Sequence, residues 1–410
     1  RDRSVSRGLG DVYKRQSKDG SDMDKNKGRR VREVVFTAAG FVILMAIIWY
    51  ISGSVKKTPL LSEDGMEYVK GTVTEIIKGN KGNGSSSAAG MAGSQDVKVK
   101  ITSGSYKGKI VEANNLNGYL YGANCQVGTR VILQVSAYEG NLTANVYNYD
   151  REYGLYALIG LFLIVLCLIG GRRGIYSAIA LIFTFICIIG LYLPLLYKGA
   201  SPFPVTVLTV CLITIVSLLL IGGYTRKTVC AAAGTIMGVA VSGCIAMVFG
   251  KITHISGYNT EDIENLVYVA QNCKLQIGDL LYAGILIASL GAVMDVAMSI
   301  SSTLQEIQDQ NPGISKKKLF RSGIHVGKDM MGTMSNTLIL AFTGSSLNTM
   351  IMIYAYAYPY NQMINMYSLG IEILRGISGT IGIILAVPFV SFIGSLYLKP
   401  VSYTHLRAHE

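Results

Sequence analysis

The sequence predicts an α-helical membrane protein of about eight transmembrane helices, with a small extracytoplasmic β-rich domain, an OB-like barrel, between the first and second helices. Three observations predict it. Half of the 410 residues are hydrophobic, only 15% are charged, and the mean hydropathy is +0.40. A soluble chain usually carries about 25% charged residues. Eight apolar runs are each long enough to cross about 30 Å of hydrocarbon. Five basic flanks of these runs all fall on one side of an eight-span arrangement.

The two ends read as foreign. Residues 1–16 and 401–410 resemble translated sequencing-adapter sequence of the kind found in metagenomic assemblies, and Met23 is then the first natural methionine. The rest of residues 1–33 is a basic N-terminus. The first run, Val34–Ile51, follows Arg29, Arg30 and Arg32 and lacks a small-residue cleavage site. A signal anchor is expected there, with a cleaved signal peptide as the lesser reading.

Residues 52–152 alternate in the manner of strands, in segments beginning at Lys70, Asp96, Lys109, Arg130 and Asn141. Five short strands suggest a small barrel, with the Gly/Ser stretch Gly79–Ser94 as a flexible loop between two of them. Residues 153–400 form a seven-helix membrane domain. Its runs are Gly154–Gly170, Ile175–Leu196, Phe203–Gly222, Thr228–Gly250, Ile277–Ile300, Gly332–Tyr354 and Ile377–Leu398.

Loop charge gives the orientation. Arg172, Arg173, Arg226, Lys227, Lys316, Lys317, Lys318, Arg321 and Lys399 share one side with the N-terminal arginines. That side is expected to be cytoplasmic, with both termini inside a bacterial cytoplasmic membrane. The net charge of +12 comes largely from these flanks, so nucleic acid is not an expected partner. Of 7 cysteines, none forms a CxxC pair. Cys125 and Cys273 would both lie outside, where one disulfide stays open as a pairing. No metal ligands, no cofactor and no catalytic residues are expected: there is no phosphate-cradling loop, no HExxH and no nucleophile set. His325 stands alone in a basic stretch.

Charge inside the bilayer is the informative feature, since a centred Asp costs roughly 2.5–3.5 kcal/mol to insert. Asp295 lies toward the cytoplasmic end of the sixth span, with Gly291 and Ala288 on a similar face, so that a neighbouring helix could approach closely. It reads as a proton or cation carrier, or as a structural carboxylate paired with Lys328 or a backbone donor. The stretch from Leu304 to Asp329 reads as a cytoplasmic interfacial helix feeding the seventh span. Lys328 and Asp329 would modulate access to Asp295. Thr333, Ser335, Asn336 and Thr337 would line the adjoining pathway or bond to neighbouring helices. Glu372 and Arg375, three apart, would pair near the outer face, as an anchor or a gate. Pro388 would kink the last helix. Gly234 and Gly238 form a close-packing motif in the fifth span.

These residues carry a resemblance. The runs from Leu290 to Ser302, from His325 to Phe342 and from Glu372 to Ile383, together with Ser103–Lys109, resemble the YibE/F-like family of bacterial multi-pass membrane proteins. The resemblance covers roughly Val31 to Lys399 and implies membrane location more than any chemistry. A second, local resemblance is to RND, MMPL and SecD/SecF-type permeases: a glycine four before a membrane Asp, an amphipathic cytoplasmic stretch, then a Thr/Ser-rich span. In those permeases the membrane Asp carries protons. This chain differs in its extra helical pair, Gly154–Leu196, its smaller outer domain and its single Asp.

The resulting expectation is a transporter or export permease, proton-coupled through Asp295 and not an enzyme. Its partners would be the lipid bilayer and an unknown solute or envelope protein, with a homo-oligomer left open. The alternative is a non-transporting scaffold that presents the outer β domain to envelope partners.

Overall fold

The computed structural model describes residues 40–55, 66–81, 93–117, 122–138 and 141–398. The adapter-like ends, Lys399, the first part of the Val34–Ile51 run and most of the Gly/Ser stretch lie outside the described residues. The chain divides into two compact units, residues 57–174 and residues 1–56 with 175–410.

The first unit contains the barrel. Its strands are β1 (Met66–Lys81), β2 (Gly93–Ile101), β3 (Ile110–Asn117), β4 (Arg130–Tyr138) and β5 (Asn141–Tyr149). They close in the order β1-β2-β3-β5-β4, all pairs antiparallel except β3 with β5. The alternation read from the sequence is the reason. Val97, Val99 and Ile101 point inward with Val69, Val73, Val131, Leu133 and Val135, while the residues between them face out. Register shifts at Val73/Glu75 and Ile76/Lys78 bend the long first strand, which pairs with both β2 and β4.

One polar side chain sits wholly inside. Asn115 is fully buried and accepts from the Ala123 amide at 3.2 Å. It donates to the Ala123 carbonyl and to Gln95 Oε1. Gln95 Oε1 in turn accepts from the Cys125 amide at 2.9 Å. The segment around Ala123, which is not itself a strand, is thereby tied to β2 and β3.

At the end of the barrel the chain enters α2 (Glu152–Cys187). Lys70 of β1 pairs with Glu152, and the Arg130 guanidinium lies 4.6 Å from the Tyr153 ring centroid. The first turn of α2 is thus held on the barrel strands. Helical geometry breaks at Gly171, with φ 52° and ψ −133°. A Cβ at Gly174 would overlap the Leu166 carbonyl. Residues eight apart in a straight helix stand about 12 Å apart, so the chain turns back here.

The second unit is helical. It holds α1 (Gly40–Gly53), a π-helical segment (Ile188–Tyr192), α3 (Leu193–Tyr197), α4 (Pro202–Gly222), α5 (Arg226–Ile252) and α6 (Ile263–Asn272). It continues with α7 (Leu280–Gln310), α8 (Lys316–Ser345), α9 (Leu347–Ala355), α10 (Tyr360–Met363) and α11 (Tyr367–Tyr397). Among the described residues five helices are long and apolar enough to cross a membrane, or six when α8 and α9 count as one bent span. The helices α5, α7, α8 and α11 form the packed centre, on a core including Val293, Val296, Ile300, Ile383 and Val390.

Glycines set how closely these helices lie. A Cβ at Gly234 would overlap Val390, and one at Gly238 would sit 3.0 Å from both the Gly382 carbonyl and Ala386. Both positions thus bring α5 onto α11.

Three expectations change. The stretch before the seventh span is no separate interfacial helix. Its first residues, 304–310, end α7, and from Lys316 it is the first half of α8, with Leu319, Gly323 and Gly327 buried. Glycines four apart let α11 approach, and that packing outweighs the basic residues around them. The seventh span does not run straight to Tyr354. It bends by 63° between α8 and α9, where the Ser345 hydroxyl and the Ser346 amide both take the Phe342 carbonyl. Cys125 and Cys273 are both free thiols, so the open disulfide is not formed.

Candidate functional site

The polar groups that the bundle leaves unpaired define the candidate site. In a membrane helix the backbone satisfies itself, and a buried hydroxyl usually donates back to the carbonyl four residues earlier. Thr206, Thr214 and Thr235 do so at 2.7–2.8 Å. Among the described residues six buried side-chain oxygens have no partner: Ser217 Oγ, Ser242 Oγ, Ser335 Oγ, Glu372 Oε2, Thr380 Oγ1 and Ser391 Oγ. Four of the six belong to α8 and α11.

The seam between α8 and α11 has a clear register. A Cβ at Gly323 would come within 2.5 Å of Ser391 Oγ, and one at Gly327 would overlap Val387. Gly379 faces Leu338 at 2.9 Å on the same measure, and Gly376 faces Phe342 at 3.9 Å. The rising number on one helix meets the falling number on the other, so the helices are antiparallel, and Ser335 lies level with Thr380. Glu372 to Ser391 covers about 28 Å of helix axis, close to the hydrocarbon thickness of roughly 30 Å. The unpaired oxygens therefore punctuate nearly the full depth of a bilayer.

The Glu372 end carries charge. Glu372 Oε1 accepts from Arg375 Nη1 at 2.9 Å, with both side chains partly buried. The guanidinium also lies 5.8 Å from the Phe342 ring centroid on α8. Glu372 Oε2, turned away, has nothing to accept from. Half of this carboxylate is thus committed to an ion pair and half is free for a water, a cation or a substrate donor.

The remaining sequence candidates separate. Asp295 is exposed on α7, as are Gly291 and Ala288 one and two turns away. No hydrogen bond or ion pair to Asp295 occurs among the described residues, so the expected pairing with Lys328 is not made. Nothing lies within 4 Å of a Cβ at Gly291. The close packing expected there is absent because this stripe of α7 faces away from α5, α8 and α11. The contacts Ser289–Gly379 and Leu304–Gly394 set the register of α7 on α11. They put Asp295 level with Leu385, between Thr380 and Ser391. Lys328 and Asp329 are exposed on α8, as are Thr333, Asn336 and Thr337. The Thr333 and Thr337 hydroxyls bond to their own helix, at Met330 O and Thr333 O. Of the four residues Thr333, Ser335, Asn336 and Thr337, Ser335 alone reaches the interior with a free oxygen. Thr380 and Ser391 were not singled out in the sequence. The available signal was Gly323-x-x-x-Gly327, which marks the helix face they meet.

The fold and the seam define a membrane protein with a polar line through its helical unit. The chain belongs to the YibE/F-like protein family, whose model matches residues 158–400. The match takes in the helices α4 to α11 and leaves out the barrel strands, so it is narrower than the resemblance read from Val31 onward. No curated protein and no solved structure matches the chain.

Proposed function

We propose that the protein is a multi-pass transporter of the bacterial cytoplasmic membrane, with a polar path that follows the α8–α11 seam. The observation that carries this reading is the file of unpaired oxygens from Glu372 through Ser335 and Thr380 to Ser391. Single buried hydroxyls are cheap in a membrane, but a file spanning its depth is what a hydrated path needs. The seam is shut in this conformation, since Gly323, Gly327 and Gly379 hold the helices in contact. Opening it requires α8 to move against α11, which takes the Phe342 ring off the Arg375 guanidinium, and the Glu372–Arg375 end is then the gate. The bend after Ser345 gives α8 a hinge.

Eight spans fit this reading: α1 with the run before it, two runs either side of Gly171, then α4, α5, α7, α8 with α9, and α11. The basic flanks put both termini in the cytoplasm and the barrel outside. Asp295, level with the middle of the seam, is the coupling carboxylate.

Two experiments test the proposal without a known substrate. Single cysteines are placed at Ser335, Thr380 and Ser391 in a chain whose seven native cysteines are replaced. A membrane-impermeant thiol reagent should modify all three, and should spare cysteines at the exposed apolar positions Ile384 and Phe392. Equal protection of both sets removes the path. For coupling, a hydrophobic carbodiimide reacts with a carboxylic acid only while it is protonated. Labelling of Asp295 in nanodiscs should change with pH between about 5 and 9 and be absent in Asp295→Asn. Labelling that is flat across that range removes the proton-carrier role.

The scaffold reading is favoured by one observation, the exposed apolar side chains Tyr68, Ile110, Leu116 and Val127 on the barrel unit. Deletion of residues 70–148 separates the two. It abolishes function in a scaffold and leaves seam labelling intact in a transporter.

A further inference from the structure

A second feature of the helical unit lies away from the seam. Between the end of α5 and the start of α11 is a cavity of about 500 Å³. Its walls are apolar. Ile245 and Phe249 contribute from α5, and Ile373, Ile377 and Ile381, four apart, form one stripe of α11. Thr253 and Asn365 stand at one end.

The surroundings fix which end is the mouth. Tyr354, Tyr356, Tyr360 and Tyr367 are all exposed in the end of α9 and the connection to α11, which also carries Asn365. Exposed tyrosines gathered at helix ends mark the interface between headgroups and hydrocarbon. From Gly370 at that level to Ile381 at the inner end is about 16 Å of helix. Half of a hydrocarbon core of roughly 30 Å is 15 Å, so the cavity is one leaflet deep.

We propose that this cavity holds one acyl chain of a phospholipid, with its headgroup at the mouth, at the level of Thr253, Asn365 and Tyr367. The chemistry matches at both ends. The walls offer an acyl chain no polar group except the Ser378 hydroxyl. At the mouth the exposed tyrosines, with the Asn365 amide that donates one hydrogen to the Asn361 carbonyl at 2.7 Å, suit the headgroup level. A helix from another copy would meet a pocket one leaflet deep rather than a flat stripe. The inference does not rest on the transport reading, because none of the unpaired oxygens lines the cavity.

The test uses the full chain in nanodiscs of a phospholipid that carries a photoactivatable group within one acyl chain. After illumination, the modified residues are mapped by mass spectrometry. Adducts should concentrate on Phe249, Ile373 and Ile377, severalfold above the equally exposed Ile384 lower on α11. Ile377→Trp, which fills the cavity, should remove them. Adducts spread evenly over all exposed apolar residues would mean ordinary bilayer contact and overturn the proposal. So would adducts at the cavity that persist in Ile377→Trp. Protein–protein crosslinks at the cavity in place of lipid adducts would assign it to a second copy. Because seam labelling reads residues outside the cavity lining, either result can fail alone.

Discussion

The barrel and the helical unit treat buried polarity in opposite ways. In the barrel, Asn115 is fully buried and its amide is bonded on both sides, to Ala123 and Gln95. In the helical unit lie all six of the unpaired buried oxygens among the described residues. The difference follows from the backbone. A barrel of short strands leaves connecting segments whose amides and carbonyls find no ladder, so a side chain must reach them. A helix satisfies its own backbone, and its hydroxyls are left with nothing they must do. Leftover polarity is therefore a structural necessity met in one unit and a free resource in the other. The largest disturbance should come where the helical unit depends on shape alone. Gly234→Leu drives a side chain into Val390 and should destabilise by about 3 kcal/mol or more, read as loss of folded protein in detergent. Near-normal yield and thermal stability would show that α5 can slide from α11 and that the helical packing is loose.

The next effect is in the barrel. Asn115→Ala strands the Ala123 amide and carbonyl, both buried, and should cost about 2–4 kcal/mol. Hydrogen exchange of barrel peptides in the full chain would show it, while α7 and α11 peptides stay protected. Loss of protection across both units would mean that the barrel's stability is not its own.

How much of this was legible follows the same division. The strands could be read because Val97, Val99 and Ile101 alternate with lysines, and period two has one meaning in a barrel wall. The long apolar runs could be read because length alone defines a span. Asn115 could not, since an asparagine among Asn114, Asn117 and glycines looks like a turn residue and only closure of the barrel puts it inside. Thr380 and Ser391 could not, because a hydroxyl in an apolar run normally bonds to its own helix. Asp295 was legible as a membrane carboxylate, but the side of α7 it faces depends on which stripe the other helices cover.

A smaller effect in the barrel is read through pH. Burial of Cys125 in the barrel pushes its thiol up from 9.0 to about 11. The unfolded chain gives up this proton more readily than the folded one. The stability tied to the neutral thiol is therefore complete below about pH 9 and is lost as pH rises through about 11. Barrel stability should be flat up to the first value and fall between the two, and Cys125→Ala should flatten the fall. An unchanged slope in that variant would place the titrating group elsewhere.

The smallest expected effect is the most discriminating, because it compares two buried serines within the helical unit. Ser301 and Ser391 are equally inaccessible. The Ser301 hydroxyl donates to the Lys227 carbonyl at 2.6 Å, whereas the Ser391 hydroxyl has no partner. Ser301→Ala should cost about 1 kcal/mol. Ser391→Ala should change stability by less than about 0.5 kcal/mol, because it removes an oxygen that bonds to nothing while the Cβ against Gly323 stays. If the seam conducts, that silent change should still slow transport, since an oxygen idle in the shut state is needed when water enters. A cost for Ser391→Ala equal to that for Ser301→Ala would mean its hydroxyl is bonded after all, and the file of free oxygens would then stop short of the α7–α8 turn.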